Sequence, residues 1–319
     1  MKKIINIAVV GLGQVGIYLL NELNTKKKEI ELKTGKKINV VAISAKNINK
    51  KRRFKINKKI FFKNPLEIFK KKNVDVLFEA IGLSDGMSKK VVESALKSGI
   101  HVISPNKALI SKHGNDLAKI AEKNNVNLEY EASVAGGVPI IRTIKEGLIG
   151  NKINKIYGIL NGTTNFILSS MEETKKNFSD VLFQAKKLGY AEANPISDIN
   201  GTDSASKLRI LSSLAFNINI SKNKILTEGI ENISLIDILH SQSLGYKIKL
   251  LSISEIKNNL LIERVHPCLI ENNSLIAKID GVLNAIVVDG LPIGRSVIQG
   301  EGAGPGATSS ALISDLCSI

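Results

Sequence analysis

The chain alternates between short unbroken apolar runs and longer stretches whose apolar residues recur every three or four positions. The first run, IINIAVV (4–10), is too short for a helix and apolar on both faces, which predicts a strand buried on both sides. Helical spacing follows in IYLLNELNTKKKEIE (17–31). INVVAIS (38–44) and VDVLFEAIG (74–82) repeat the strand pattern, the second after a Lys-rich helical segment. A helix near 86–98 leads to GIHVISPN (99–106), a strand with a turn; 113–124 reads as a helix and NLEYEASV (127–134) as a strand. This alternation predicts an α/β fold, a Rossmann-type doubly wound parallel sheet.

Beyond it the pattern changes. KIYGIL (155–160) reads as a strand, helices are predicted from about 164, 179 and 202, and strand-like runs return at 247–256, 260–265, 275–279 and 283–288. Together they predict a second α+β domain with a mixed sheet. The expected division is 1–130 for the first domain and 131–305 for the second. A last helix, 306–316, is expected to pack back on the first domain within 306–319.

Composition narrows the classes. The net charge of +16 invites a nucleic-acid reading, but only six of the 45 basic residues are arginine. The lysine run through 46–72 has few aromatics and no recognition motif, whereas nucleic-acid interfaces favour arginine forks and stacking rings. No nucleic-acid partner is expected. MKKIINIAVV resembles a leader, but its apolar run is short and no small-residue cleavage site follows. No apolar stretch reaches the length of a membrane span, so no membrane association is expected. Cys268 and Cys317 lie far apart without metal or redox spacing, and His101, His113, His240 and His266 are scattered. A cytoplasmic protein is the expectation.

GLGQVG at 11–16 follows the first strand and opens a helix, the context in which G-x-G-x-x-G signals a dinucleotide. Gly11 permits the tight turn, Gly13 the approach of a pyrophosphate, and Gly16 close helix–strand packing, with Gln14 and Val15 completing the helix start. The second strand ends in Ser44-Ala45-Lys46, and no acid occurs from Lys33 to Leu66. Lys46, Lys50, Arg52 and Arg53 suit a 2′-phosphate. NADP(H) is therefore favoured, with NAD(H) as the alternative; the competing reading assigns these cations to the general lysine excess.

GYAEANPISDINGTDSASKL (189–208) places Asp203 and Lys207 at i and i+4, on one helical face after a glycine turn. The bland reading is a solvated loop. The chemical one is an acid/base group, since a hydride-transfer enzyme needs a proton carrier at the reacting oxygen.

GLGQVG, SPNKALI (104–110), EASVAGGVPII (131–141), GILNGTTNFIL (158–168), the 189–208 block and GEGAGPGATSSAL (300–312) together resemble the homoserine dehydrogenase family, in its order and over nearly the whole chain. The resemblance implies NAD(P)-dependent interconversion of L-aspartate 4-semialdehyde and L-homoserine, in threonine, methionine and isoleucine biosynthesis. It implies that Lys207 gives or takes the proton, that Asp203 orients it, and that Lys107 sits near the nicotinamide. Glu192 would bind the substrate ammonium, Asp198 would support the pocket, and Tyr190, Gly162 and Thr163 would line it. It further implies a monovalent cation, sodium, on the Glu131 carboxylate and the carbonyls of Val134, Gly136 and Val138. A plain tight turn at Gly136-Gly137 is the competing reading there. Gly302 would approach the cofactor, unless its segment is simply a lead-in to the helix. A homodimer built on the second domain's late strands is expected. Many bacterial relatives continue into a regulatory domain; with Ile319 the last residue, a short form without threonine feedback is expected. Two other readings stay open: a related dehydrogenase of another small amino or oxo acid, and a non-catalytic dinucleotide-binding module.

Overall fold

The computed structural model describes residues 4–52 and 56–319. The chain divides into two compact units, one running to Gly136 and resuming at Gly304–Ile319, the other Gly137–Ala303.

In the first unit, β1 (Ile4–Val10), β2 (Lys37–Ser44), β3 (Phe61–Phe62), β4 (Val76–Glu79), β5 (His101–Ile103) and β6 (Leu128–Glu129) form one sheet in the order β3-β2-β1-β4-β5-β6. Every pairing in it is parallel. Helices α1 (Gln14–Thr25), α2 (Lys27–Thr34), α3 (Ile68–Lys71), α4 (Met87–Lys97) and α5 (Lys107–Lys123) connect the strands. Because side chains alternate along a strand, Ile5, Ile7 and Val9 join one apolar cluster and Ala8 and Val10 another. Both faces of β1 are thus dry, which is why its sequence shows no polar alternation.

Two expectations shift here. The helix expected at 113–124 begins at Lys107, because the Asn106 side chain accepts from the Leu109 N–H (3.1 Å) and caps it early. The strand expected over 127–134 is only Leu128–Glu129. Tyr130 leaves the extended region and Glu131–Ser133 form a 3₁₀ turn, with the Glu131 N–H donating to Asp315 Oδ2 (3.1 Å).

The second unit opens with α6 (Ile140–Arg142) and a π-helical turn, Thr143–Gly147. There follow β7 (Lys152–Ile159), α7 (Gly162–Thr174), α8 (Phe178–Leu188), α9 (Ile196–Ile199), α10 (Thr202–Phe216), β8 (Leu226–Thr227) and α11 (Leu235–Ser243). Long strands β9 (Tyr246–Lys257), β10 (Leu260–Glu271), β11 (Leu283–Leu291) and β12 (Gly294–Glu301) complete it. The sheet order is β12-β11-β7-β9-β10-β8, antiparallel except for β10 with β8. The run expected as a strand at 275–279 is instead a 3₁₀ turn, Ile276–Lys278. Its Ile279 carbonyl accepts from Lys249 Nζ (2.6 Å) and Asn165 Nδ2 (3.0 Å), so side chains satisfy backbone that a strand would have paired. The last helix, α12 (Pro305–Ser318), belongs to the first unit, where Ala311, Leu312 and Leu316 enter the cluster of Ile5, Ile7 and Val9.

Candidate active site

The cofactor side is built mainly from backbone. At the end of β1 the chain turns at Gly11 (φ +101°), whose N–H donates to the Ser44 carbonyl of β2 (2.9 Å). A Cβ on Gly11 would collide with the Ala80 carbonyl beyond β4, and one on Gly16 with the Gly11 carbonyl. Nothing lies within 4 Å of a Cβ on Gly13. Gly13 is the N-cap of α1, no side chain caps it, and no acid occupies the first turn. The N–H groups of Gln14, Val15 and their neighbours are therefore left for an anion, which fits a pyrophosphate.

In the loop after β2, Arg52, expected to help meet a 2′-phosphate, also holds backbone. Its guanidinium donates to the carbonyls of Leu12 (3.2 Å), Ile48 (3.2 Å), Lys50 (2.9 Å) and Asn47 (2.7 Å). It folds the loop onto the glycine turn. Lys46 and Lys50 are exposed, and Arg53 lies outside the described residues. Lys107 is the first residue of α5, at the carboxyl end of the parallel sheet. A cavity of about 530 Å³ lined by Phe61, Phe62, Lys63, Asn64, Pro65, Glu67, Lys71 and Met87 contains none of the predicted site residues.

The substrate side is built from side chains. Gly201 (φ +81°) makes the turn into α10 and sets Asp203 and Lys207 inward, each 8% exposed. Lys207 Nζ lies 2.8 Å from Asp203 Oδ2 and donates to the Leu160 carbonyl at 2.7 Å. Asn161, the N-cap of α7, accepts from the Thr164 N–H through Oδ1 (2.9 Å). Its Nδ2 donates to Asp198 Oδ1 (2.8 Å) and Asp203 Oδ2 (2.9 Å). One hydrogen-bonded group thus joins Asp198 on α9, Asp203 and Lys207 on α10, and the start of α7. Gly162 has no room for a side chain, because a Cβ would meet the Val282 carbonyl. The Thr163 hydroxyl donates to the Tyr190 carbonyl (2.6 Å), and the Tyr190 ring lies against Phe166, centroids 4.9 Å apart. Glu192 is exposed on the 189–195 loop and makes no hydrogen bond or ion pair with another described residue.

The structure therefore brings Gly162, Thr163, Tyr190, Asp198, Asp203 and Lys207 into one neighbourhood of the second unit. Sequence reasoning missed Asn161 and the Leu160 carbonyl. Asn161 could have been found as a helix-capping residue three positions before Thr164, but nothing in the pattern says which carboxylates its amide reaches. A second buried lysine was also missed: Lys249 on β9 donates to Asn165 Oδ1 (3.0 Å), the Ile279 carbonyl and Asp280 Oδ1 (2.7 Å). Burial pushes its pKa down.

Of the predicted cation ligands, Glu131, Val134 and Gly136 belong to the first unit and Val138 to the second. The Glu131 side chain is buried, and the buried Ser133 hydroxyl has no hydrogen-bond partner among the described residues. The Val138 carbonyl accepts from the Ile140 N–H (2.7 Å). Gly302 lies against Asn284, whose side chain a Cβ there would strike. Among the described residues no group of three or more His, Cys, Asp or Glu could hold a metal ion, and no helix is long and apolar enough to cross a membrane.

Known proteins share this fold and much of this sequence. Residues 11–131 match the family model described as homoserine dehydrogenase, NAD binding domain, and residues 139–317 the model for homoserine dehydrogenase. The homoserine dehydrogenase of Neisseria gonorrhoeae is 40% identical over 317 residues, spanning 99% of this chain and 72% of that protein. That of Pseudomonas aeruginosa is 40% identical over 320 residues, with the same coverages. The crystal structure of a homoserine dehydrogenase from Thiobacillus denitrificans aligns with a TM-score of 0.93 at 39% identity, covering 99% of this chain and 73% of that one. The homoserine dehydrogenase of S. aureus aligns at 0.86 and 37%, covering 99% and 78%. The chain belongs to the homoserine dehydrogenase family, oxidoreductases that interconvert L-aspartate 4-semialdehyde and L-homoserine with a nicotinamide dinucleotide.

Proposed function

We propose that in this chain Lys207 carries the proton of that reaction. The observation behind the proposal is its hydrogen bonding. A lysine ammonium has three N–H donors; Asp203 and the Leu160 carbonyl occupy two, and the third has no partner among the described residues. A buried donor without a partner is costly, so this one suits a substrate oxygen.

The nicotinamide, when bound, supplies or takes the hydride. As charge grows on the aldehyde oxygen, Lys207 gives it a proton; in homoserine oxidation the same nitrogen takes the hydroxyl proton. Asp203 holds the lysine in place, and Asp198 supports the pocket. Glu192, a carboxylate without a partner among the described residues, meets the substrate ammonium. Gly162, Thr163 and Tyr190 shape the wall, and Lys107 serves the nicotinamide side, with Gly302 also approaching the cofactor.

NADP(H) is preferred over NAD(H), through Lys46 and Lys50. Sodium is held at Glu131 with the carbonyls of Val134, Gly136 and Val138; the buried carboxylate and the unpartnered Ser133 hydroxyl support this. The working form is a homodimer joined through the second sheet, where Leu226, Ile256, Leu260 and Leu269 are exposed apolar residues on β8, β9 and β10.

The test is a spectrophotometric assay of the purified protein with L-homoserine and either NADP⁺ or NAD⁺, repeated with sodium replaced by choline. Turnover that is faster with NADP⁺ and falls without sodium is expected. Equal kcat/KM for both cofactors, or indifference to sodium, removes the corresponding assignment. A monomer of 34.6 kDa in sedimentation equilibrium at micromolar concentration removes the dimer.

A further inference from the structure

We infer that Asn161 is a positioning residue of the reaction, the group that fixes the two site carboxylates against each other and thereby aims Lys207. The inference rests on the proposed role of Lys207 and extends it to a residue outside the assigned set.

The geometry leaves the amide one orientation. Its oxygen must face the Thr164 N–H, because an N–H can only donate there (2.9 Å). The nitrogen then faces the two carboxylates, and its two hydrogens match the two acceptors, Asp198 Oδ1 and Asp203 Oδ2. Each polar atom of the side chain is satisfied, and the residue is 4% exposed, so its rotamer is held on three sides.

Two like charges brought to one nitrogen repel, and the neutral donor between them offsets that repulsion. Asp203 Oδ2 is moreover the oxygen that holds Lys207, so one acceptor receives both the amide and the ammonium. Without the amide, the Asp203 oxygen that holds Lys207 loses one of its hydrogen bonds, and the link between Asp198 and Asp203 through the start of α7 is broken. The carboxylate that orients the lysine then changes its setting, and proton transfer falls steeply with misplacement.

A purely structural reading competes with this one: an N-cap that stabilises α7 and nothing more. The two separate by substitution, because Ser, Asp and Asn are about equally good N-caps. Asn161→Ser keeps a capping oxygen but is too short to donate to both carboxylates. Asn161→Asp keeps the cap, loses both donors and adds a third negative charge.

The experiment measures kcat and KM for L-homoserine, the cofactor dissociation constant and the melting temperature for both variants, beside Lys207→Ala. For Asn161→Ser we expect kcat to fall roughly ten- to a hundredfold, the loss of one hydrogen bond to a charged group. Cofactor affinity and melting temperature should stay near wild type. Asn161→Asp should be slower still. Wild-type kcat and KM in the serine variant would overturn the inference and leave Asn161 as a cap alone, as would an aspartate variant as fast as wild type. If Lys207→Ala keeps its activity, the proton-carrier reading fails, and the inference with it. If Lys207→Ala is inactive and Asn161→Ser is not impaired, only the inference about Asn161 fails.

Discussion

The two units build their candidate sites in opposite ways. In the first, the candidate cofactor cradle is made from main-chain N–H groups, and its glycines matter for the atoms they lack. In the second, the candidate substrate site is made from side chains that hold one another: Asn161, Asp198, Asp203 and Lys207 share hydrogen bonds across three elements. A backbone cradle fails when something is added to it. A side-chain network fails when something is removed. Each kind of site therefore has its own diagnostic substitution.

The largest effect is expected on the network. Lys207→Ala removes the proposed proton carrier and should lower kcat by roughly 10²–10⁴-fold while cofactor affinity stays near wild type. A variant keeping more than about a tenth of wild-type kcat would show the network to be structural rather than chemical.

The glycines give the converse test. Gly16→Ala drives a methyl into the Gly11 carbonyl and should cost about 1–3 kcal/mol of stability as well as cofactor affinity. Gly13 has ordinary dihedrals (φ −76°, ψ −162°) and open space before it. Its alanine variant should melt near wild type yet bind the dinucleotide roughly tenfold more weakly, because the methyl stands where a pyrophosphate approaches. Thermal shift and cofactor titration on the pair decide the matter: parallel losses in both variants would mean that Gly13 is a folding residue, not a cradle.

A smaller effect concerns the second buried lysine. Burial acts to raise the Asp280 pKa, but the hydrogen bond and charge of Lys249, with Lys247, outweigh it and hold the carboxyl below its usual range. A carboxylate with a depressed folded pKa contributes stability above about pH 4, its unfolded range, and loses it as pH falls through the folded value. Asp280→Asn should thus be less stable than wild type at pH 7 by about 1–2 kcal/mol, discounted because Asp280 is half exposed. The gap should be smaller at pH 3 than at pH 7. Denaturant curves at the two pH values would break this account if the gap stayed constant.

The smallest effect is expected from the exposed loop after β2. Lys46→Ala should reduce the preference for NADP(H) by less than about tenfold, since salt screens a lysine in open water. A ratio of kcat/KM values for the two cofactors that ignores both the substitution and the ionic strength would remove Lys46 from recognition.

How much of this was legible follows from the same contrast. The parallel sheet could be read because burial on both faces leaves unbroken apolar runs, as in IINIAVV. The glycine fingerprint was legible because a backbone cradle requires glycine at fixed spacing. In the second unit β12 escaped notice, its sequence GRSVIQGE being that of an edge strand with polar residues along most of its length. The Asp203–Lys207 pair showed itself through helical spacing, but the solvated reading fitted it equally well until the other sequence blocks were added. Asn161 and Arg52 mark the limit. Both act on partners distant in sequence, and Arg52 meets four carbonyls that carry no residue signature at all. Its charge suggested a phosphate ligand; its geometry made it a loop clasp.

The discontinuity of the first unit has a consequence for synthesis. Its apolar cluster takes Ala311, Leu312 and Leu316 from α12, while its other members come from the chain before Gly136. A ribosome makes these two parts with the entire second unit between them. At elongation speeds of about 5–20 residues per second, the dinucleotide fold waits on the order of ten seconds or more with one face of its core uncovered. Helix α12 thus acts as a late stopper, and completion of the first unit is tied in time to synthesis of the second.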